Sequence, residues 1–366
     1  MGTLLVRRGY QAVIRVQGFA LYGPLAASTR YRLEQYIPGL AQLGIDLQVH
    51  YLLGDEYLRR RFAGHSLPWF RLLESGFARL VDLGRQKRFD ARIVYCELFP
   101  LMPGWIERAL LREPYLYDFD DAFYLKYRSG RLSLLHPLLG RKFDTVMQGA
   151  AAITAGNATL ANYARTHNSQ TRLLPTVVDT GRYRPVSREA NPQFTVGWIG
   201  SPSTAPYLAE LAGPLATIAR DGPVRLIVIG GKAPRIPGVA VEEIAWSEAD
   251  EVAQLNGFDV GVMPLPDDDW ARGKCAFKLI QYMACGVPVI ASRVGANADV
   301  VTADCGVLVS SAQEWVEALR LLRDQPGRRQ AMGEAARTRV EEDYSLSRNL
   351  PLLAQTIHRV AGRGGE

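Results

Sequence analysis

Two doubly wound α/β domains facing a cleft are what this sequence predicts. Short apolar runs alternate with longer helical patterns over most of its length, the pattern of parallel sheets covered by helices. The alternation lapses at 176–193 (TVVDTGRYRPVSREANPQ), a polar stretch with Pro185 and Pro192, and then restarts. The chain has 366 residues, enough for two domains of ordinary size. The expected division is 1–183 and 184–344, with a closing helix at about 345–366 packing back on the first domain.

In the first half, strands are expected within 11–17, 46–53, 91–97, 114–119, 151–155 and 171–175. For the first of these, 4–6 and 12–16 both qualify. Helices are expected at 29–43, 70–86, 102–111, 134–149 and 158–166. Segment 31–43 has apolar residues at helical spacing and ends at Gly44, with a kink at Pro38. In the second half FTVGWIG (194–200) reads as a buried strand, followed by helix 204–220 and strand 224–230. Strands 239–244, 258–263, 287–292 and 306–309 follow, with helices at 248–255, 275–285, 312–323 and 327–342. The last helix, 347–361, carries Leu350, Leu353, Ile357 and Val360 at helical spacing, a stripe that needs an apolar surface.

Composition narrows the class. The chain is 48% hydrophobic and 22% charged, which excludes a disordered or collagen-like protein. No apolar run has transmembrane length, and Arg7, Arg8 and Arg15 interrupt the amino terminus where a secretory signal would be apolar. Cys96, Cys275, Cys285 and Cys305 lack paired spacing, so a reducing cytoplasm is expected, with no zinc or disulfide framework. The net charge of +6 is uneven: residues 1–190 hold 26 Lys+Arg against 16 Asp+Glu, the remainder 17 against 21. A basic front half suits an anionic surface or substrate. Nucleic acid is not expected, because the cations do not interleave with stacking aromatics. There is no G-x-G-x-x-G, Walker A or G-x-S-x-G motif, and no histidine is paired for catalysis.

In doubly wound sheets ligands bind beyond the carboxyl ends of the strands, so the loops there are the candidates. Loop 18–29 (GFALYGPLAAST) has small residues, with Ser28 or Thr29 to cap the next helix and Arg30 and Arg32 nearby for a phosphate. Strand 114–119 delivers Asp118, Asp120 and Asp121, carboxylates able to orient a hydroxyl or accept its proton. The Asp267–Asp269 run reads as a solvated loop rather than a metal cage. Segment 271–295 is the richest. Arg272, Lys274 and Lys278 crowd the start of helix 275–285, where positive charge is unfavourable unless an anion sits there. Lys274, Lys278 and Gln281 also fall at i, i+4 and i+7, on one face. Cations beside free backbone amides describe a phosphate site.

These residues bring in a family. VVDTGRYRP (177–185) looks like a linker signature of retaining GT-B glycosyltransferases of family 4. FDVGVMPLP with the lysine-bearing helix, YMACGVPVIASRVGAN and DCGVLV resemble the family's nucleotide-sugar domain. The resemblance covers about 145–345 by motif and the first 145 residues by layout. It departs at one point: where the family commonly has two glutamates eight positions apart, this chain has Gly273 and Gln281.

The resemblance implies a GT-B fold and transfer of a sugar from a nucleoside-diphosphate sugar to a hydroxyl of a glycan or lipid-linked acceptor. Arg272, Lys274, Lys278, Phe277, Ser28 and Arg30 would hold the diphosphate. Gln281, Gly200 and Ser201 would hold the ribose and nucleotide, and Asp120, Asp121 and Lys278 would be catalytic. No cofactor and no metal are expected, the nucleotide sugar being a co-substrate. A sugar-nucleotide epimerase or hydrolase of the same layout, and a noncatalytic nucleotide-sugar-binding scaffold, are the rival readings. The expected setting is polysaccharide or glycoconjugate synthesis at the inner face of the membrane. Segment 57–71 is expected to dock there, joining Arg59–Arg61 and Arg71 to Phe62, Leu67, Trp69 and Phe70.

Overall fold

The structure, a computed structural model, describes residues 13–128, 130–187 and 193–362. The alternative first strand at 4–6 lies outside them. The first domain runs β1 (Ile14–Tyr22), α1 (Ala27–Arg32), α2 (Ile37–Gln42), β2 (Ile45–Leu53), α3 (Asp55–Phe62), α4 (Trp69–Gly84), β3 (Ala91–Tyr95), α5 (Gly104–Leu110), β4 (Tyr115–Phe119), α6 (His136–Leu139), α7 (Lys142–Gly149), β5 (Ala152–Ala155), α8 (Ala158–Arg165) and β6 (Thr171–Leu173). Its six parallel strands lie in the order β2-β1-β3-β4-β5-β6.

The second domain runs β7 (Phe194–Ile199), α9 (Ala212–Ile218), β8 (Val224–Ile229), β9 (Ala240–Ile244), α10 (Glu251–Asn256), β10 (Val260–Met263), α11 (Asp269–Arg272), α12 (Phe277–Ala284), β11 (Val289–Ser292), α13 (Asn297–Val300), β12 (Gly306–Val309), α14 (Ala312–Asp324), α15 (Pro326–Arg339) and α16 (Leu346–Val360). Its sheet, also six-stranded and parallel, has the order β12-β11-β10-β7-β8-β9. The central strands are buried on both faces and are mostly apolar, with Arg92 and Thr195 the polar exceptions in β3 and β7, as covered parallel strands are. Edge strand β9 is half open and carries Glu242 and Glu243, charges that discourage pairing with a further strand.

Several elements differ from expectation: the helix expected over 134–149 divides into α6 and α7, and that over 204–220 opens as a 3-10 helix at Ala205–Leu211 before α9. Strand β1 continues through Gly18 to Tyr22, because β2 pairs with it along its length and β3 along its middle. The first cleft loop therefore starts at Gly23. The helix expected over 29–43 is broken into α1, a 3-10 turn at Glu34–Tyr36 and α2. Pro38 stands in the first turn of α2, where its missing N–H leaves no hydrogen bond unmade. Helix α12 starts at Phe277 rather than 275, because Ala276 takes a left-handed conformation with φ 54°.

One large core fills the first domain, with a small cluster of Leu21, Leu52 and Leu53 beside it, and two cores cover the faces of the second sheet. Each domain lends a side chain to the other. Tyr31 from α1 is buried in a core of the second domain, and Cys275 is buried in that of the first. Leu353, Ala354, Ile357 and Val360 of α16 also sit in the first core, and Leu350 lies against Gly39. The chain returns there beside the linker, where Leu346 N donates to Val178 O at 2.8 Å.

Candidate functional site

The carboxyl ends of the two sheets face one cleft of about 720 Å³. On the second-domain side the chain turns through Ala276 into α12, whose first turn contains no acidic residue. A left-handed alanine costs about 1–2 kcal/mol, a strain of the kind found where backbone amides are aimed at a ligand. Lys278 is partly buried there. Its Nζ lies 3.2 Å from Thr204 Oγ1 and 4.5 Å from the centre of the Trp198 ring. Burial, with Lys274 nearby, pushes its ammonium down to about 7. Lys274 lies before the helix, not on its face, with Nζ 3.7 Å from Asp121 Oδ1. Phe277 lines the same cleft with its ring centre 4.2 Å from that of Tyr31.

The first domain supplies the opposite wall. The three aspartates at the end of β4 and just after it divide their work. Asp118 is taken up by an ion pair with buried Arg32 and by the Thr154 hydroxyl, so it holds the fold. Asp120 accepts a hydrogen bond from Tyr95, and burial raises its carboxyl. Asp121 lines the cleft, and burial pushes its carboxyl up to about 6 against the pull of Lys274. Ser28 lies beside Tyr95 at the cleft wall. Neither Ser28 nor Thr29 caps α1. The cap position is Ala26, and Thr29 instead donates to Tyr22 O at 3.0 Å. Arg30 lines the cleft between the Tyr31 and Trp246 rings, 5.0 Å from each centre, and donates to Pro24 O at 2.9 Å.

Gln281 is buried at the floor, where its Nε2 donates to Tyr183 Oη at 3.2 Å. Tyr183 bonds Tyr31 Oη at 2.5 Å and also Glu251, which accepts from Trp246 Nε1 at 2.6 Å. Gly200 and Ser201 line the cleft after β7, with Ser201 Oγ 2.8 Å from Ser203 Oγ.

Arg272 does not join this set. Asp268 caps α11 by accepting from Ala271 N at 2.7 Å, and the single turn that follows swings Arg272 outward. Its half-exposed guanidinium pairs with Asp267 at 2.8 Å and Asp269 at 3.3 Å. Gly273 has a different explanation. A Cβ there would stand 2.5 Å from Ala122 Cβ and 3.0 Å from Ala122 N. The glycine lets the second domain touch the backbone of the Asp120–Ala122 loop. Around it Asn157 Nδ2 donates to Gly273 O at 2.9 Å and Lys274 O at 3.0 Å, and Cys275 Sγ donates to Asp120 O at 2.9 Å.

Sequence reasoning missed Tyr31, Tyr95, Asn157, Thr204, Trp246 and Glu251. They reach the site from several parts of the chain, and the one sequence signal, a position just beyond a strand end, marks Asn157, Thr204 and Trp246. Among the described residues no cluster of three or more His, Cys, Asp or Glu could hold a metal ion.

Two parallel sheets whose carboxyl ends share a phosphate-suited cleft define a GT-B fold of the glycosyltransferase type. Residues 194–325 match the family model described as Glycosyl transferases group 1, so the second domain is a GT4-like glycosyltransferase domain. Over 68 residues, 18% of each chain, the sequence is 43% identical to a GDP-mannose-dependent monoacylated alpha-(1-6)-phosphatidylinositol monomannoside mannosyltransferase of Corynebacterium glutamicum. Over 132 residues it is 29% identical to a D-inositol 3-phosphate glycosyltransferase of Pseudarthrobacter chlorophenolicus, covering 35% of this chain and 28% of that one. The chain thus spans less than a third of the length of the curated relatives it matches. Sucrose-phosphate synthase from Thermosynechococcus elongatus superposes with a TM-score of 0.70 at 14% identity, covering 95% of this chain and 99% of the other. Anabaena HepE, solved with UDP and glucose, does so at 0.66 and 12%, covering 94% and 100%. At these identities the likeness shows the fold alone.

Proposed function

We propose that the protein is a retaining glycosyltransferase, moving a sugar from a nucleoside-diphosphate sugar to a hydroxyl of a glycan or lipid-linked acceptor. The observation that carries this reading is the convergence of Lys274, Lys278 and the amide end of α12 with Asp120 and Asp121 across one cleft. The donor diphosphate lies at the start of α12, against Lys274, Lys278 and Phe277, with Ser28 and Arg30 reaching it from the first domain. Gln281, Gly200 and Ser201 hold the ribose and nucleotide. As the bond from the sugar carbon to the diphosphate oxygen breaks, negative charge grows on that oxygen. Cations and amides already in position stabilise that charge more than the ground state, which is what accelerates the step. In this reading they do the work without a metal. The acceptor hydroxyl attacks from the face the diphosphate leaves, oriented by Asp120, and Asp121 takes up its proton.

The name of the Corynebacterium relative, which includes a phosphatidylinositol mannoside acceptor, supports a lipid-linked acceptor here. Glycoconjugate or polysaccharide synthesis at the cytoplasmic face of an anionic membrane is the setting that fits it. Incubating candidate nucleotide sugars with and without acceptor glycolipids tests the reading. Sugar transfer only when acceptor is present, with the anomeric configuration kept, is the expected result. Donor turnover without acceptor makes the protein an epimerase or hydrolase, and binding without turnover makes it a scaffold.

A further inference from the structure

Helix α4 is held to the first domain by a narrow seam. Arg79 is buried and donates to the carbonyls of Ala20 at 2.6 Å and His50 at 3.1 Å, and Leu83 is buried beside it. Most of the rest of the helix is open. Trp69 is 73% exposed, Phe77 70% and Leu73 63%, and Phe70, Leu80 and Val81 are exposed with them. At 3.6 residues per turn these six side chains fall within an arc of about 120°. With Leu72, α4 carries seven of the seventeen large exposed apolar side chains among the described residues. A continuous apolar face of this kind on a soluble domain marks an interaction surface.

Its surroundings are basic. Residues 55–88 hold eight Lys+Arg against four Asp+Glu, with Arg59, Arg60 and Arg61 on α3 just before α4 and Arg85, Lys87 and Arg88 just after it. The helix starts at the cleft-facing end of the sheet. Exposed Leu101 and Trp105 follow β3 at that same end, and exposed Leu134 and Leu138 follow β4. A second copy of the chain is a poor occupant, because a two-fold contact would bring like-charged arginines together.

We infer that α4 is a docking element for an anionic lipid bilayer. It lies in the interface with Trp69, Phe70, Leu73, Phe77 and Leu80 among the acyl chains, while the flanking arginines meet lipid phosphates. The apolar contact therefore comes from 69–81 rather than from the expected 57–71. Within 57–71, Leu58 is buried and Leu67 packs against the small cluster beneath. The docking stands without any reaction. That it brings a lipid-linked acceptor to the first-domain side of the cleft rests on the glycosyl-transfer reading.

Co-sedimentation of the full chain tests it, with phosphatidylcholine vesicles and with vesicles carrying about one third phosphatidylglycerol. The parent should bind the anionic vesicles, and added salt should weaken that binding. The double variant W69E/F77E, at two of the most exposed positions, should lose roughly tenfold or more of the partition. R59Q/R60Q/R61Q should lose the preference for anionic lipid. UDP and GDP affinity, read on the same samples, should stay at the parent value in both variants, which separates this outcome from failure of the nucleotide site. The inference is overturned if the parent binds neither vesicle or both equally, or if W69E/F77E binds like the parent. It is also overturned if the parent is a dimer in solution that W69E/F77E dissociates, since the occupant is then a second copy.

Discussion

Lys278 allows the proposed diphosphate site to be weighed by pH alone. In the cleft its ammonium is held down at about 7 by burial and by Lys274, so at pH 8 only about a tenth of the molecules carry that charge. A diphosphate beside it reverses the balance and favours the charged form. A charge-assisted contact is worth about 1.5–3 kcal/mol, a preference of roughly 10- to 150-fold for the protonated enzyme. The sign follows: affinity is full below about pH 7 and falls as pH rises through that value, by up to about tenfold per pH unit, while binding takes up a proton. Lys278→Ala should lose roughly 10- to 150-fold of affinity near pH 6 and far less near pH 9, with a flattened profile between. Titration calorimetry with UDP and GDP, in buffers of different ionisation enthalpy, reads both the affinity and the proton uptake. If the variant keeps the parent's pH profile, or the parent takes up no proton near pH 8, the diphosphate does not contact Lys278 and the placement of the chemistry is wrong.

Asp121 must be ionised to take up a proton, and its carboxyl is pushed up to about 6. Transfer by the parent should therefore decline as pH falls through about 6, and Asp121→Asn should cost roughly 100-fold or more in kcat with nucleotide affinity nearly unchanged. Gly273→Glu puts a side chain where Ala122 Cβ is 2.5 Å away. It should lower stability by about 1–3 kcal/mol through overpacking, and small-angle scattering should show a larger radius of gyration. Leu353→Ala leaves a cavity between α16 and the first core and should cost about 2–5 kcal/mol in denaturant unfolding. Unchanged unfolding would mean that α16 contributes nothing to that domain.

The layered architecture was legible because it rests on local pattern. Apolar runs bounded by glycine and proline located every strand of both sheets to within a few residues, β1 excepted. There Gly18 and the small residues that follow made a continuing strand look like the start of a loop. The cleft was legible only in part. Lys274, Lys278 and Gln281 sit close together in sequence, and a helix start concentrates them. Arg272 satisfied the same charge argument, yet a one-turn helix and the Asp267–Asp269 run take it away. The network of Tyr31, Tyr183, Trp246 and Glu251 joins residues as many as 220 positions apart, and no periodicity encodes a contact at that range. Gly273 was read only as a departure from the glutamate the family commonly has there. Its close approach to Ala122 is visible only when both domains are present.

The exchange of Tyr31 and Cys275 between the two cores bears on how such a protein can be recombined. A hybrid that joins this first domain to a foreign second domain inherits Ala122 and Gly156 packed for a partner with glycine at 273 and a small thiol at 275. A Cβ on Gly156 would stand 2.4 Å from Cys275 Sγ, so Gly156 and Cys275 fit only as a pair, as do Ala122 and Gly273. A donor domain carrying the usual glutamate at 273 meets the Ala122 backbone head-on. The first domain would also present the Tyr31 ring and hydroxyl to a surface with no Tyr183 or Glu251 to receive them. Exchange of whole domains is thus restricted to partners that keep these matched positions together.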